Sequence, residues 1–161
     1  IIMKIWSERP KEIAYLLNPA FCGEILYKAI EGYQCHYPVM PFSLIFFILP
    51  LMLYDKTFET FSMKISHLSR WIQSKPEILE GFEYRVKDYK QITQEALLFL
   101  SKQELIKVCD GGFAIISQGK KKIQKSNKYL YHFSDKAYKL GIFLAKAGRP
   151  ENVYMILGVT P

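Results

Sequence analysis

The chain changes from a helical to a strand pattern within residues 93–116, which read TQEALLFLSKQELIKVCDGGFAII. Apolar side chains recur at helical spacing at the start of this stretch, and Thr93 can cap a helix. Two β-prone runs then follow, residues 105–109 and 113–116. Because Asp110-Gly111-Gly112 lies between them, and Asp-Gly between two such runs is typical of a hairpin turn, the stretch predicts a helix followed by an antiparallel β-hairpin.

The rest of the chain has mostly helical spacing of its apolar residues. Upstream, this spacing predicts helices at Glu12–Leu17, Pro19–Gly32 and Pro41–Tyr54, one through Ile65 and Trp71, and one through Ile78 and Tyr89. Downstream, Ser134 or Asp135 is expected to cap a last helix that ends near Gly148, and Val153–Leu157 is expected to form a strand. The predicted fold class is α+β and mostly helical.

The predicted architecture has a helical N-terminal half, a winged-helix-like helix and β-hairpin unit, and a C-terminal helix. A length of 161 residues fits one compact domain with a sizeable core. We therefore expect a single domain over residues 1–161, with a helical part at about 1–91 and a winged-helix-like part at about 92–161.

The composition favours a folded protein with macromolecular partners. Half of the residues are hydrophobic and 15% are aromatic, which is too apolar for a disordered chain. The formal net charge of +7 favours acidic partners, such as nucleic acid, an anionic membrane or an acidic protein face. Charge alone does not choose among these partners.

A lysine cluster after the hairpin is the candidate for contact with nucleic acid or a partner. Its lysines could neutralise phosphates with aromatic rings in reach, which gives salt-dependent binding with little sequence preference. A solvated, flexible wing or loop and docking on an acidic protein surface remain open alternatives. The candidate contact residues are Lys120, Lys121, Lys122, Lys125, Lys128, Tyr129 and Tyr131.

The apolar run Pro41–Tyr54 is shorter than the roughly 20 apolar residues that cross a membrane, and Pro50 interrupts it. It fits a buried core helix, a helix that docks on a partner subunit, or a membrane-associated segment. Trp71 is expected to anchor either the core or an interface. The candidate partner-interface residues are Phe42, Phe46, Phe47 and Trp71.

No catalytic, metal or nucleotide motif occurs in the sequence. The patterns GxxxxGK[ST], GxSxG and HExxH are absent, so no cofactor or catalytic residue is assigned. Three cysteines and three histidines are scattered in no zinc-ligand spacing, namely Cys22, Cys35, Cys109, His36, His67 and His132. The odd cysteine number and the lack of a visible export signal favour a reducing, cytoplasmic location. We expect a protein that is not an enzyme.

Several segments together resemble the middle component of bacterial ABC-three-component systems, including the small third subunit of Lamassu-type anti-phage defence complexes. These segments are Asn18–Cys22, Glu31-Gly32-Tyr33, the proline-bounded run from Pro41 to Leu51, Thr93–Phe99, Ala147-Gly148-Arg149-Pro150 and Leu157-Gly158-Val159.

The resemblance implies a non-catalytic adaptor that joins an SMC-like or Rad50-like ATPase to a nuclease-type effector, with DNA reached through the complex. We expect no membrane and no small-molecule substrate among the partners. A stand-alone winged-helix DNA-binding regulator is the alternative, although residues 94–100, which would enter the major groove, contain no Lys or Arg.

Overall fold

The structure, a computed structural model, describes residues 17–61, 64, 66–116 and 128–160. In this part of the chain, helices predominate and three short strands form one sheet. The helices are α1 Pro19–Tyr33, α2 Phe42–Ile45, α3 Ile48–Met52, α4 Asp55–Thr60, α5 Leu68–Ser74, α6 Phe82–Lys102, α7 Lys128–Lys146 and α8 Pro150–Leu157, with a 3₁₀ turn at Pro76–Leu79. The strands are β1 Met40–Pro41, β2 Ile106–Cys109 and β3 Gly112–Ile115. The predicted α+β, mostly helical class is confirmed.

Helix α1 begins where the sequence predicts. The Phe21 amide donates a hydrogen bond to Asn18 Oδ1 at 2.8 Å, and Pro19 occupies the first turn, where its missing N–H costs nothing. Most of the helix is buried, including Ile25, Leu26 and Ile30. Helix α1 is therefore central to the core, and α6 and α7 both pack against it.

Two glycines allow α1 and α7 to approach each other closely. A Cβ atom at Gly32 would lie 2.0 Å from the carbonyl oxygen of Tyr138, and one at Gly141 would lie 2.0 Å from that of Ala29. Each glycine therefore faces the backbone of the opposite helix with no room for a side chain. At the start of the same contact, the rings of Phe21 and Phe133 meet edge to face at 5.3 Å.

The sheet has the strand order β1-β3-β2, and both pairs are antiparallel. The predicted hairpin is confirmed: Cys109 pairs with Gly112 across the turn, and Gly111 has a φ of 81°. Strand β1 lies so close to β3 that a Cβ at Gly112 would be 1.9 Å from the Met40 carbonyl oxygen. Gln34, just after α1, binds this sheet because its Oε1 accepts a 2.9 Å hydrogen bond from the Ile115 amide.

The predicted helix boundary near Thr93 is wrong. Residues Phe82–Lys102 form one continuous helix, and Thr93 is fully buried within it rather than at a cap. No glycine or proline interrupts this stretch, and its buried side chains keep helical spacing from Phe82 to Leu100. The predicted division between residues 91 and 92 therefore falls inside α6. This one helix replaces the two that were predicted, one through Ile78 and Tyr89 and one from Thr93 to Leu100.

The predicted single helix over Pro41–Tyr54 is also wrong. Pro41 belongs to β1, and the run then divides into α2 and α3 around Phe46 and Phe47. The Phe42 amide donates to the Gly111 carbonyl at 3.1 Å, so the start of the run is bound to the hairpin. Pro50 has no N–H to donate to the carbonyl of Phe46, four residues earlier, so a continuous helix would lack this hydrogen bond. The break between α2 and α3 lies at that carbonyl.

At the C-terminal end, the predicted Val153–Leu157 strand is wrong, because these residues lie in helix α8. Pro150 starts this helix, Val153 and Leu157 are buried one turn apart, and Gly158 ends it with a φ of 67°. The preceding helix is confirmed, but it starts at Lys128 rather than at Ser134 or Asp135. The predicted Glu12–Leu17 helix lies, except for Leu17, outside the described residues.

Candidate partner-binding surfaces

The predicted lysine cluster falls mostly outside the described structure. Lys120, Lys121, Lys122 and Lys125 lie outside the described residues. Lys128, Tyr129 and Tyr131 belong to the N-terminal end of α7 by their backbone, and the description does not extend to their side chains. Their contact with nucleic acid or with a partner remains a prediction.

Two of the four predicted partner-interface residues are core residues in this chain. Trp71 has 0% exposure and packs edge to face on Phe61 at 4.9 Å. Phe47 is buried between Phe82 and Tyr154, with ring-centroid distances of 5.9 and 5.8 Å. Large aromatic residues contribute most when fully packed, so these two stabilise the fold and present little surface to a partner.

The other two predicted residues, Phe42 and Phe46, retain accessible surface. Phe46 is half-buried and Phe42 is 40% exposed. The Phe42 ring meets Phe113 edge to face at 5.0 Å, and Phe113 pairs with Val108 across the hairpin. Val108 is 68% exposed. We call Phe42, Phe113 and Val108 the hairpin stripe, a small exposed apolar surface at the tip of the sheet.

A groove lies where the start of α5, the end of α7 and helix α8 meet. It has a volume of about 340 Å³. Buried Leu68 and Phe143 and half-buried Ile156 form its floor, whereas His67 and Lys146 are exposed at its rim. We call this feature the C-terminal groove. Its apolar floor and polar rim are the arrangement expected of a binding surface.

The sequence interpretation missed the C-terminal groove. Its lining comes from residues 67–69, 143–147 and 152–156, which are distant in sequence. A helical interpretation of residues 150–157 would have placed Asn152, Met155 and Ile156 on one side of α8, because residues three and four apart share a helix face. The strand prediction for this segment hid that pattern.

A buried carboxyl group lies in the contact between α1 and α7. Glu24 is 8% exposed, and its Oε1 accepts a 3.1 Å hydrogen bond from Ser134 Oγ. Burial raises the pKa of Glu24, while the Ser134 hydrogen bond and nearby Lys28 lower it. Its second oxygen has no hydrogen-bond partner within the described structure. Because the group is enclosed, it is a feature of the core and not of an exposed binding surface.

A second polar contact joins the end of α1 to α7. The Sγ of exposed Cys35 lies 3.0 Å from the Tyr138 hydroxyl. This hydrogen bond, together with burial, raises the pKa of Tyr138 to about 12. Nearby in α1, burial raises the pKa of Tyr27 to about 12 as well. Both phenols therefore stay protonated at neutral pH.

Two kinds of feature are absent from the part of the chain that the structure describes. Within residues 17–61, 64, 66–116 and 128–160, no group of three or more His, Cys, Asp or Glu side chains is arranged to hold a metal ion. Over the same described part of the chain, none of the helices combines the length and apolar character needed to cross a bilayer.

Comparison with known proteins gives one match. No curated protein and no solved structure matches the chain. The family model described as "ABC-three component (ABC-3C) system Middle Component 3" matches residues 6–161, which is nearly the whole chain. This protein therefore belongs to the Middle Component 3 family of ABC-three-component systems.

Proposed function

We propose that this chain is a non-catalytic adaptor that bridges an SMC-like or Rad50-like ATPase and a nuclease-type effector in an anti-phage defence complex of the Lamassu kind. The family match over residues 6–161 is the observation that carries the proposal, because a middle component works beside other components of its system. In this proposal the complex acts in the cytoplasm, and DNA is reached through the complex.

The surface of the chain supports a role in binding. The hairpin stripe and the C-terminal groove both expose apolar groups that the core does not use, with Val108 at 68% and Met155 at 80% exposure. Exposed apolar surface with a polar surround is typical of protein–protein contact sites. The net charge of +7 favours acidic partner faces.

The stand-alone winged-helix regulator is not proposed. Its main support was the succession of two helices and a hairpin, the order in which a recognition helix precedes a wing. The continuous helix α6 replaces the two expected helices. What remains is a long helix followed by a hairpin, and residues 94–100 of that helix, which would enter the major groove, contain no Lys or Arg.

The test is co-expression of the full chain with the ABC-type ATPase and the effector encoded beside it. We expect the three proteins to co-purify, with a fixed ratio by size-exclusion chromatography and light scattering. A chain that elutes alone in the presence of both neighbours would contradict the adaptor proposal. An unrelated protein of similar size and charge, expressed with the same two partners, controls for nonspecific association.

The non-catalytic part of the proposal has its own test. Nuclease and ATPase activities of the assembled complex should follow point mutations in the partners' own active sites and should be absent from the purified chain. Hydrolysis of ATP or DNA by the chain alone, retained through successive purification steps, would overturn this part of the proposal.

A further inference from the structure

We propose that the C-terminal groove receives a segment of a partner subunit that carries one large apolar side chain flanked by Asp or Glu. The inference rests on the proposed function, since it assumes that the chain works by binding other components of its system. It adds the place of contact and the chemistry of the partner segment.

The shape of the groove favours the side chain of a protein segment. A volume of about 340 Å³ lies at the small end of the range for small-molecule pockets, roughly 300–1,000 Å³. The rim is open, because His67, Lys146 and Met155 are all exposed. A small ligand bound there would remain largely exposed to solvent. A protein segment can insert one side chain into the groove, and the residues on either side of that side chain can cover the rim.

The floor and one wall of the groove favour an apolar insert. Leu68 and Phe143 are buried beneath it, and Met155 lies beside it with 80% of its surface exposed. Methionine has an unbranched, polarisable side chain that adapts to the shape of what it contacts. An exposed methionine at the edge of an apolar groove is therefore suited to close over an inserted Leu, Ile or Phe.

The charges around the groove favour acidic flanks on the inserted segment. No Asp or Glu is among the lining residues, whereas Lys146 is. On the segments that bound the groove, Arg70 and Arg149 add positive charge against the single acid Glu151. Complementary charges at the rim raise the association rate and suppress wrong partners.

Other occupants fit less well. A second copy of the chain carries the same net charge of +7, which opposes self-association. Nucleic acid phosphates could meet Lys146, Arg70 and Arg149, but a sugar–phosphate backbone has no apolar side chain to fill the floor of the groove. The hairpin stripe is less informative than the groove, because Lys107 and Asp110 beside it carry opposite charges and favour no partner charge.

The experiment uses the full chain co-expressed with its ATPase and effector. Two variants change the groove: Lys146→Glu at its rim and Met155→Asp at its wall. Each has a matched control on α6. Lys102→Glu changes a lysine that is also in the last turn of a long helix, and Leu98→Asp changes an apolar residue that is 55% exposed. Circular dichroism and thermal unfolding check that every variant is folded.

We expect both groove variants to reduce co-purification of one partner at least tenfold, while both controls keep the wild-type yield. An acid-to-lysine change on that partner should restore binding to Lys146→Glu. Groove variants that bind as well as the controls would overturn the inference and leave the adaptor proposal standing. A wild-type chain that binds neither partner would overturn the proposed function itself.

The remaining occupants appear as separate outcomes. Light scattering of the purified proteins tests for a second copy. If the wild type is a dimer and the groove variants are monomers, the inference is overturned in favour of a second copy. A loss of duplex DNA binding in the groove variants, with partner binding intact, would overturn it in favour of nucleic acid.

Discussion

The contact between α1 and α7 and the hairpin stripe differ in how much of their apolar surface is buried. In the helix contact, Gly32 and Gly141 bring two backbones together and the neighbouring apolar side chains are buried. In the hairpin stripe, Phe42 and Val108 expose much of their apolar surface. The first region tolerates no added atom, whereas the second can change with little cost to folding. The closely packed helix contact and the exposed apolar stripe therefore lie in different parts of the chain.

The largest effect is expected from adding one methyl group to the helix contact. Gly141→Ala would place a Cβ 2.0 Å from the Ala29 carbonyl oxygen, so one helix must move away. We expect a loss of about 3 kcal/mol or more in the free energy of unfolding, measured by urea denaturation. Gly158→Ala is the control, because a Cβ there would have no atom within 4 Å. The φ of 67° at this position is strained for alanine, so the substitution should lower the free energy of unfolding by about 1–2 kcal/mol. Equal losses would show that the helix contact is looser than described.

A smaller effect is expected from Arg85, which joins α6 to the segments before it. Its guanidinium donates to the carbonyl oxygens of Pro50, Ile78 and Glu80 and lies 3.7 Å from the centre of the Tyr54 ring. Arg85→Met leaves these groups without that donor and should cost about 2 kcal/mol.

Two further variants test this assignment to Arg85. Arg85→Lys should recover only part of the loss, since one ammonium group cannot reproduce the planar fork. Exposed Lys87→Met should change the unfolding midpoint little. If Arg85→Lys were as stable as the wild type, the planar geometry of the guanidinium would not account for the contribution of Arg85 to stability.

The buried carboxyl of Glu24 is expected to make the stability of the helix contact depend on pH. Burial raises its pKa above the ordinary 4.5, so the folded state holds a proton that the unfolded state releases. Stability should therefore fall as pH rises above about 4.5, until Glu24 ionises in the folded protein. Glu24→Gln should flatten this part of the profile in urea denaturation at several pH values.

The control for Glu24 is Glu83→Gln, which removes an exposed carboxylate from the first turn of α6. The fall in stability that is assigned to Glu24 should persist in this control, because Glu24 and its surroundings are intact. Lys28 and Glu31 are the charged groups that act on Glu24 from its own helix, and Ser134 is its hydrogen-bond donor from α7. A fall in stability above pH 4.5 that is the same in Glu24→Gln as in the wild type would contradict a raised pKa for Glu24.

The smallest effect on stability is expected in the hairpin stripe. Val108→Ala should change the free energy of unfolding by no more than about 0.5 kcal/mol, because the side chain is 68% exposed. Ile106→Ala, two residues earlier on the same strand and 3% exposed, should cost about 2–4 kcal/mol. A large loss for Val108→Ala would assign the stripe to the core and remove it from the candidate binding surfaces.

Prediction from the sequence succeeded where two or three neighbouring residues favour one conformation. Asn18-Pro19 started a helix, and Asp110-Gly111 between β-prone runs formed a hairpin turn. It failed where local preference competes with packing. Thr93 can cap a helix, yet α6 continues through it because buried side chains recur at helical spacing on both sides of Thr93. The strand predicted for Val153–Leu157 failed for another reason: it overlooked two local helix signals, Pro150 at the start and Gly158 at the end.

Burial divides the predicted partner-interface residues. Phe47 and Trp71 were predicted as partner contacts with a place in the core left open, and the fold buries both in the core. Only the packing of neighbouring elements decides which aromatic residue stays exposed. The C-terminal groove could not be predicted because its walls come from three distant segments.

The sequence by itself determined the α+β class, the basic charge, the start of α1 and the position of the hairpin, because helical spacing and turn chemistry act over a few residues. The tertiary structure alone decided which glycines permit close helix packing, which aromatic residues are buried and where a groove opens. Those properties depend on which surfaces meet after the chain folds, and contacts between distant residues leave no local pattern in the sequence.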